Sequence, residues 1–152
     1  MICADIIGER ARLSPDRTAV VEAATGARHR YREMDHRAAA TARAWLYGLG
    51  LKHGDRIGLL SGNRLEFLDA FFAAAKSGVI LVPLGTRLTT AELGIIVHDC
   101  ELSALVYDAE HAESVRELTT RAEVGRLVAL DEEDGGDDQT WQELLASIGE
   151  GE

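Results

Sequence analysis

Between residues 56 and 130 short apolar runs alternate with stretches of helical periodicity, and few folds accommodate that order. Residues 56–60, 79–82, 104–107 and 127–130 read as strands. The first intervening helix is expected from a candidate N-cap at Asn63 to Gly78. The second opens with Thr89 and Glu92 at capping-box spacing and runs to about His98, and the third covers 110–121. Parallel strands cannot be joined by tight turns, and crossovers through a helix are right-handed. The expected fold class is therefore α/β, with three layers: a mainly parallel sheet and helices on both faces. The run at 79–82 is continuously apolar and closed by Pro83, which suits a strand buried on both faces.

A β-hairpin is expected ahead of this unit, from residues 18–22 and 28–31 with Gly26 supplying the turn. A helix over about 32–47 follows. Its stripe of Met34, Ala38, Ala42, Trp45 and Leu49 advances by three and four residues, and Gly48 and Gly50 stop it. Beyond Leu130, residues 131–138 (DEEDGGDD) read as a solvated acidic loop. Thr140 and Glu143 then repeat the capping-box spacing before a short last helix. The sequence shows neither an internal repeat nor an interdomain linker.

Charge narrows the range of partners. The chain carries 16 basic and 26 acidic side chains, a formal charge of −10. Residues 1–100 hold 13 basic and 11 acidic groups, whereas residues 101–152 hold 3 and 15. So acidic a surface argues against nucleic acid as a partner. No window approaches the roughly 20 apolar residues of a membrane helix, so no membrane span is expected. Cys3 and Cys100 are isolated thiols without metal-ligand spacing. They read as small, buried or half-buried hydrophobes in a reducing, cytoplasmic compartment. The 14 arginines against 2 lysines fit a GC-rich bacterial genome.

No self-contained catalytic constellation emerges from the residues. A phosphate loop needs spaced glycines followed by Lys and Ser or Thr, and neither Lys52 nor Lys76 stands in that context. Gly48, Gly50 and Gly54 follow a helix and precede a strand, the reverse of a dinucleotide fingerprint. None of His29, His36, His53, His98 and His111 lies three or four residues from another His or a Cys, so no metal site is expected. His98, Asp99 and Cys100 are adjacent on a helix end and point in different directions. Ser61 lacks the flanking glycines of a nucleophile elbow. Glu66 and Asp69 read as solvated carboxylates on one helix face.

The order of several short motifs is more informative than any one of them. PDRTAVV (residues 15–21) precedes YREMDHRAAATARAWLYGLGLKHGDRIGLLSGNRLEF (31–67), and AAAKSGVILVPLGTRLTTAELGIIVHDCELSALV (73–106) follows. This string resembles the start of the adenylate-forming (AMP-binding) superfamily, in the style of acyl-CoA synthetases and fatty-acid–CoA ligases. Arg30 stands where that family usually has Thr, Ser61–Asn63 replaces a Pro-containing turn, and Gly85 and Thr86 replace Asn-Pro.

The resemblance implies that residues 1–152 are the N-terminal lobe of a longer synthetase domain, with 131–152 its acidic loop and short terminal helix. ATP, Mg and CoA are implied for the full-length family. None is expected to be bound by this chain alone, because the family's phosphate loop and catalytic lysine lie downstream. The expected partner is the remainder of the synthetase, in cis or as a second chain, with a homo-oligomer as a further option. The implied activity is acyl-adenylate formation and acyl transfer to CoA, with this chain inactive by itself. The alternatives are an amino-acid adenylation domain, half of a split ligase, or a non-catalytic binding or assembly module. The resemblance also places Gly85, Thr86 and Arg87 near a CoA channel, where Arg87 would meet a phosphate. The competing reading is that Arg87 forms a salt bridge or caps the next helix.

Overall fold

The computed structural model describes residues 5–132 and 136–149; Cys3 and residues 133–135 of the acidic loop lie outside the described residues. The elements follow in the order α1 (Ile6–Leu13), β1 (Thr18–Val21), β2 (Arg28–Arg30), α2 (Tyr31–Arg43), β3 (Arg56–Leu60), α3 (Leu65–Ser77) and β4 (Ile80–Pro83). Then come α4 (Thr90–Cys100), β5 (Ala104–Tyr107), α5 (Ala112–Thr119), β6 (Arg126–Ala129), β7 (Gln139–Thr140) and α6 (Trp141–Ala146). A five-stranded sheet runs β4-β3-β5-β6-β7 with every neighbour parallel, and β1 and β2 pair separately as an antiparallel hairpin. The expected α/β architecture is present.

Side-chain alternation along the strands produces two cores. Ile57, Leu59, Val106 and Val128 face one side, where they meet Ala42 and Trp45, Ala70 and Ala73 of α3, and Trp141 and Leu144 of α6. Leu60, Leu105, Tyr107 and Ala129 face the other, against Leu93 and Val97 of α4 and Val115 and Leu118 of α5. A smaller cluster of Ile7, Met34 and Ala38 fastens α1 and the hairpin to the outer side of α2 and α3.

Several local expectations need correction. The helix α1 was not read from the sequence, although Asp5 caps it by accepting the Gly8 N–H at 3.0 Å. The helix expected over 32–47 is regular only to Arg43 and ends in a π-helical turn, Ala44–Gly48. The N-cap of α3 is Arg64 rather than Asn63, and its side chain makes no capping bond. Gly78 closes α3 at φ 75°, where a Cβ would stand 2.2 Å from the His53 ring. The largest difference concerns β4, which is an edge strand with Ile80 49% exposed rather than a strand buried on both faces. Leu81 still packs toward one core and Val82 toward the other, but nothing pairs beyond β4 among the described residues, so its outer edge stays open to water. Finally, β7 adds two residues of the acidic third to the sheet, a pairing too short to show periodicity.

Candidate functional site

In a parallel sheet the loops leaving the C-terminal strand ends share one edge. Ligands bind there where successive connections part to opposite faces. Here the chain leaves β3 through α3 on one face and leaves the adjacent β5 through α5 on the other. The crevice therefore opens between Ser61–Gly62 and Asp108.

That crevice is filled by the chain's own side chain. Asp108 is only 6% exposed; it accepts the Gly62 N–H at 2.8 Å and a hydrogen bond from His111 Nδ1 at 2.5 Å. Burial pushes the Asp108 carboxyl up, but the bonds from His111 and Gly62 outweigh it and hold the group below the usual aspartate range. A second tie lies beside it. Arg64 Nη1 donates to both Asp131 oxygens at 3.0 Å, and Asp131 accepts the Ala109 N–H at 2.9 Å. The loops after β3, β5 and β6 are thus pinned together. Next to them a hollow of about 640 Å³ is lined by Asp108, Glu110, Asp131 and Glu132, with Arg64 the single cation among the described residues that line it.

A larger groove, about 910 Å³, separates the hairpin from the start of α3. Arg37 and His29 enter its lining. His29 Nε2 lies 2.6 Å from Glu22 Oε1 across the hairpin. Arg37 holds Asp69 through Nε–Oδ1 at 2.9 Å and Nη2–Oδ2 at 2.5 Å. Burial raises the Asp69 carboxyl further than Arg37 lowers it, and the same bonds raise Arg37, which keeps a path to water. The expectation that Glu66 and Asp69 are solvated is therefore wrong. Asp69 is 2% exposed, and Glu66 is half-buried against Arg64 at 2.8 Å.

The structure places Gly85, Thr86 and Arg87 in an exposed turn after β4, on the same sheet edge, with the Leu88 N–H donating to Gly85 O at 3.1 Å. Arg87 makes no ion pair among the described residues, and Thr89 caps α4 instead. His98, Asp99 and Cys100 end α4 without a hydrogen bond between His98 and Cys100 among the described residues; the Cys100 carbonyl accepts from Arg56 Nη1 at 3.2 Å. The Asp108–His111 pair was not singled out from the sequence. Its spacing of three residues across the mouth of a helix was the available signal.

The implied ligands can be tested against this geometry. The crevice is closed by Asp108, and the acidic hollow repels a triphosphate, so the described residues do not fit ATP. No group of three or more His, Cys, Asp or Glu among the described residues is placed to hold a metal ion. Arg87 stands exposed beside a glycine turn, without an ion pair among the described residues. Among the described residues no helix is long and apolar enough to cross a membrane.

The comparisons with known proteins agree with one another. The family model for AMP-binding enzymes matches residues 7–148. A feruloyl-CoA synthase of Amycolatopsis sp. is 37% identical over 128 residues, covering 82% of this chain and 26% of its own length. A long-chain-fatty-acid–CoA ligase of Mycobacterium tuberculosis is 35% identical over 118 residues, covering 78% of this chain and 23% of its own. The solved structure of a Mycobacterium tuberculosis fatty acyl CoA synthetase superposes with a TM-score of 0.79 at 29% identity, over 93% of this chain and 27% of that one. The chain thus spans about a quarter of the length of the relatives it matches.

Proposed function

The chain belongs to the AMP-binding enzyme family, and on that premise we propose that residues 1–152 are the N-terminal lobe of an ATP-dependent acid–thiol ligase. The ligase would convert a carboxylate to its acyl-adenylate and pass the acyl group to CoA. The observation carrying this reading is the match of 82% of the chain to a CoA-thioester-forming relative across its motifs, at a quarter of that relative's length. Acid–thiol ligation is preferred to amino-acid adenylation because the relatives named above are CoA synthases and CoA ligases.

In this reading the lobe is a scaffold, and the chain alone does not activate an acid. The closed crevice and the acidic hollow support that, since a triphosphate needs prearranged N–H and cationic donors. Arg87, with Gly85 and Thr86, is the group assigned to a CoA phosphate. The test has two arms. The purified chain, given ATP, Mg and an aryl or long-chain acid, should give no pyrophosphate exchange above background. The same residues grafted in place of the matched segment of the Amycolatopsis feruloyl-CoA synthase should retain thioester formation. Arg87→Ala in that graft should raise the KM for CoA several-fold and leave the adenylation half-reaction unchanged. Exchange by the chain alone, or a folded graft without thioester formation, would overturn the reading.

A further inference from the structure

Resting on the reading of the chain as a lobe of a longer ligase, we infer that a trough bounded by α1, α3 and β4 is the seat of an apolar helix contributed by the rest of that polypeptide. The trough, about 330 Å³, is walled by Ile6, Phe71, Ile80 and Pro83 over a floor of Ala74 and Ala75, and none of the described side chains that line it is ionisable. Ile6, Phe71 and Ile80 are 58%, 55% and 49% exposed. An uncharged edge with three large exposed apolar groups is unusual on a chain that carries −10 elsewhere.

Two features choose the occupant. The first is the edge itself. Ile80 and Leu84 spend their N–H groups on Asp55 O at 2.8 Å and Leu59 O at 2.9 Å, and the two-residue period gives Val82 the same direction. Leu81 therefore holds the one outward N–H of β4, because Pro83 has none. An added strand would find a single N–H donor beside the outward carbonyls of Leu81 and Pro83, a poor ladder, so side-chain contact is the better cover, and the alanine floor admits the close approach of a helix. The second feature is area. The three exposed side chains offer on the order of 300 Å², well short of the roughly 800 Å² per partner of a stable complex. A second copy of this chain is thus a poor occupant. A segment in the same polypeptide is a good one, because tethering replaces the missing affinity with effective concentration. The relatives supply such chain: the matched segment is 26% of the feruloyl-CoA synthase.

The test begins with the chain alone at up to about 100 μM, a concentration at which a weak pair would still populate, by light scattering after gel filtration. The expected result is a monomer. A dimer that Ile80→Lys disperses makes a second copy the occupant and overturns the inference. Hydroxyl-radical footprinting then compares Phe71 and Ile80 in the chain alone, in the graft described above, and in a mixture with the feruloyl-CoA synthase lacking its matched segment. Modification at Phe71 should fall at least five-fold in the graft or the mixture. Equal modification in all three overturns the inference. Thioester formation is scored separately: activity without protection leaves the ligase reading standing, and protection without activity leaves the docking face standing.

Discussion

Buried charge is the most consequential detail at the residue scale. Asp69 sits almost wholly out of water, whereas the Arg37 side chain remains 38% exposed. The two ends of this ion pair are therefore unequal. Arg37→Ala leaves a buried carboxylate without its partner and should cost about 3 kcal/mol, whereas Asp69→Asn leaves an arginine that reaches water and should cost about 1 kcal/mol. Urea unfolding of the two variants measures the difference; equal losses would refute it. Asp108 yields a pH prediction. Its carboxyl is held below its ordinary value in the fold, so its stabilisation is complete above the unfolded aspartate range. That stabilisation disappears as pH falls through the lower, folded value. Asp108→Asn should lose about 1–2 kcal/mol near neutrality and converge on the parent in acid, which unfolding curves at the two pH values would show. The Arg37–Asp69 pairing was not legible in the sequence. Arg37 and Asp69 lie 32 residues apart, and only helix packing makes them neighbours.

The signals that worked at the level of elements were caps and periodicity. Thr89 and Thr140 both stand at N-caps, with Glu92 and Glu143 returning the bond, because a capping box is local chemistry that needs no tertiary context. Asn63 is not the cap: Asp108 holds the preceding Gly62 N–H, and the helix takes Arg64, one residue later, as its N-cap. The stop of α4 carries a cost the sequence does not advertise. Glu101 takes the left-handed conformation at φ 48°, the position where glycine is favoured, and its contact with Arg56 at 3.8 Å is exposed. Glu101→Gly should therefore stabilise the domain, by about 0.5–1 kcal/mol, read as a higher midpoint in thermal unfolding. A lower midpoint would mean that the Arg56 contact outweighs the backbone strain.

Across the whole molecule the acidic third is not an appendage. Trp141 and Leu144 are 2% and 0% exposed in the same core as Trp45 and Ile57, and a Cβ on Gly48 would stand 2.7 Å from Leu144 Cδ1. Leu144→Ala should accordingly cost about 3 kcal/mol, as a buried leucine in a central core does. A loss under 1 kcal/mol in chemical denaturation would instead place α6 outside the cooperative unit.

The amino-acid sequence by itself determined the α/β class, the hairpin, four of the five parallel strands and both capping boxes, because each depends on spacing within one segment. It also carried the ordered motifs that led to the family. Tertiary structure alone decided which strand became an edge, which carboxylates lost water, and that Asp108 would occupy the crevice at the switch point. Those outcomes depend on what packs against a residue from elsewhere in the chain. The run at 79–82 is as apolar as a central strand, and only its place at the end of the sheet leaves Ile80 half in water.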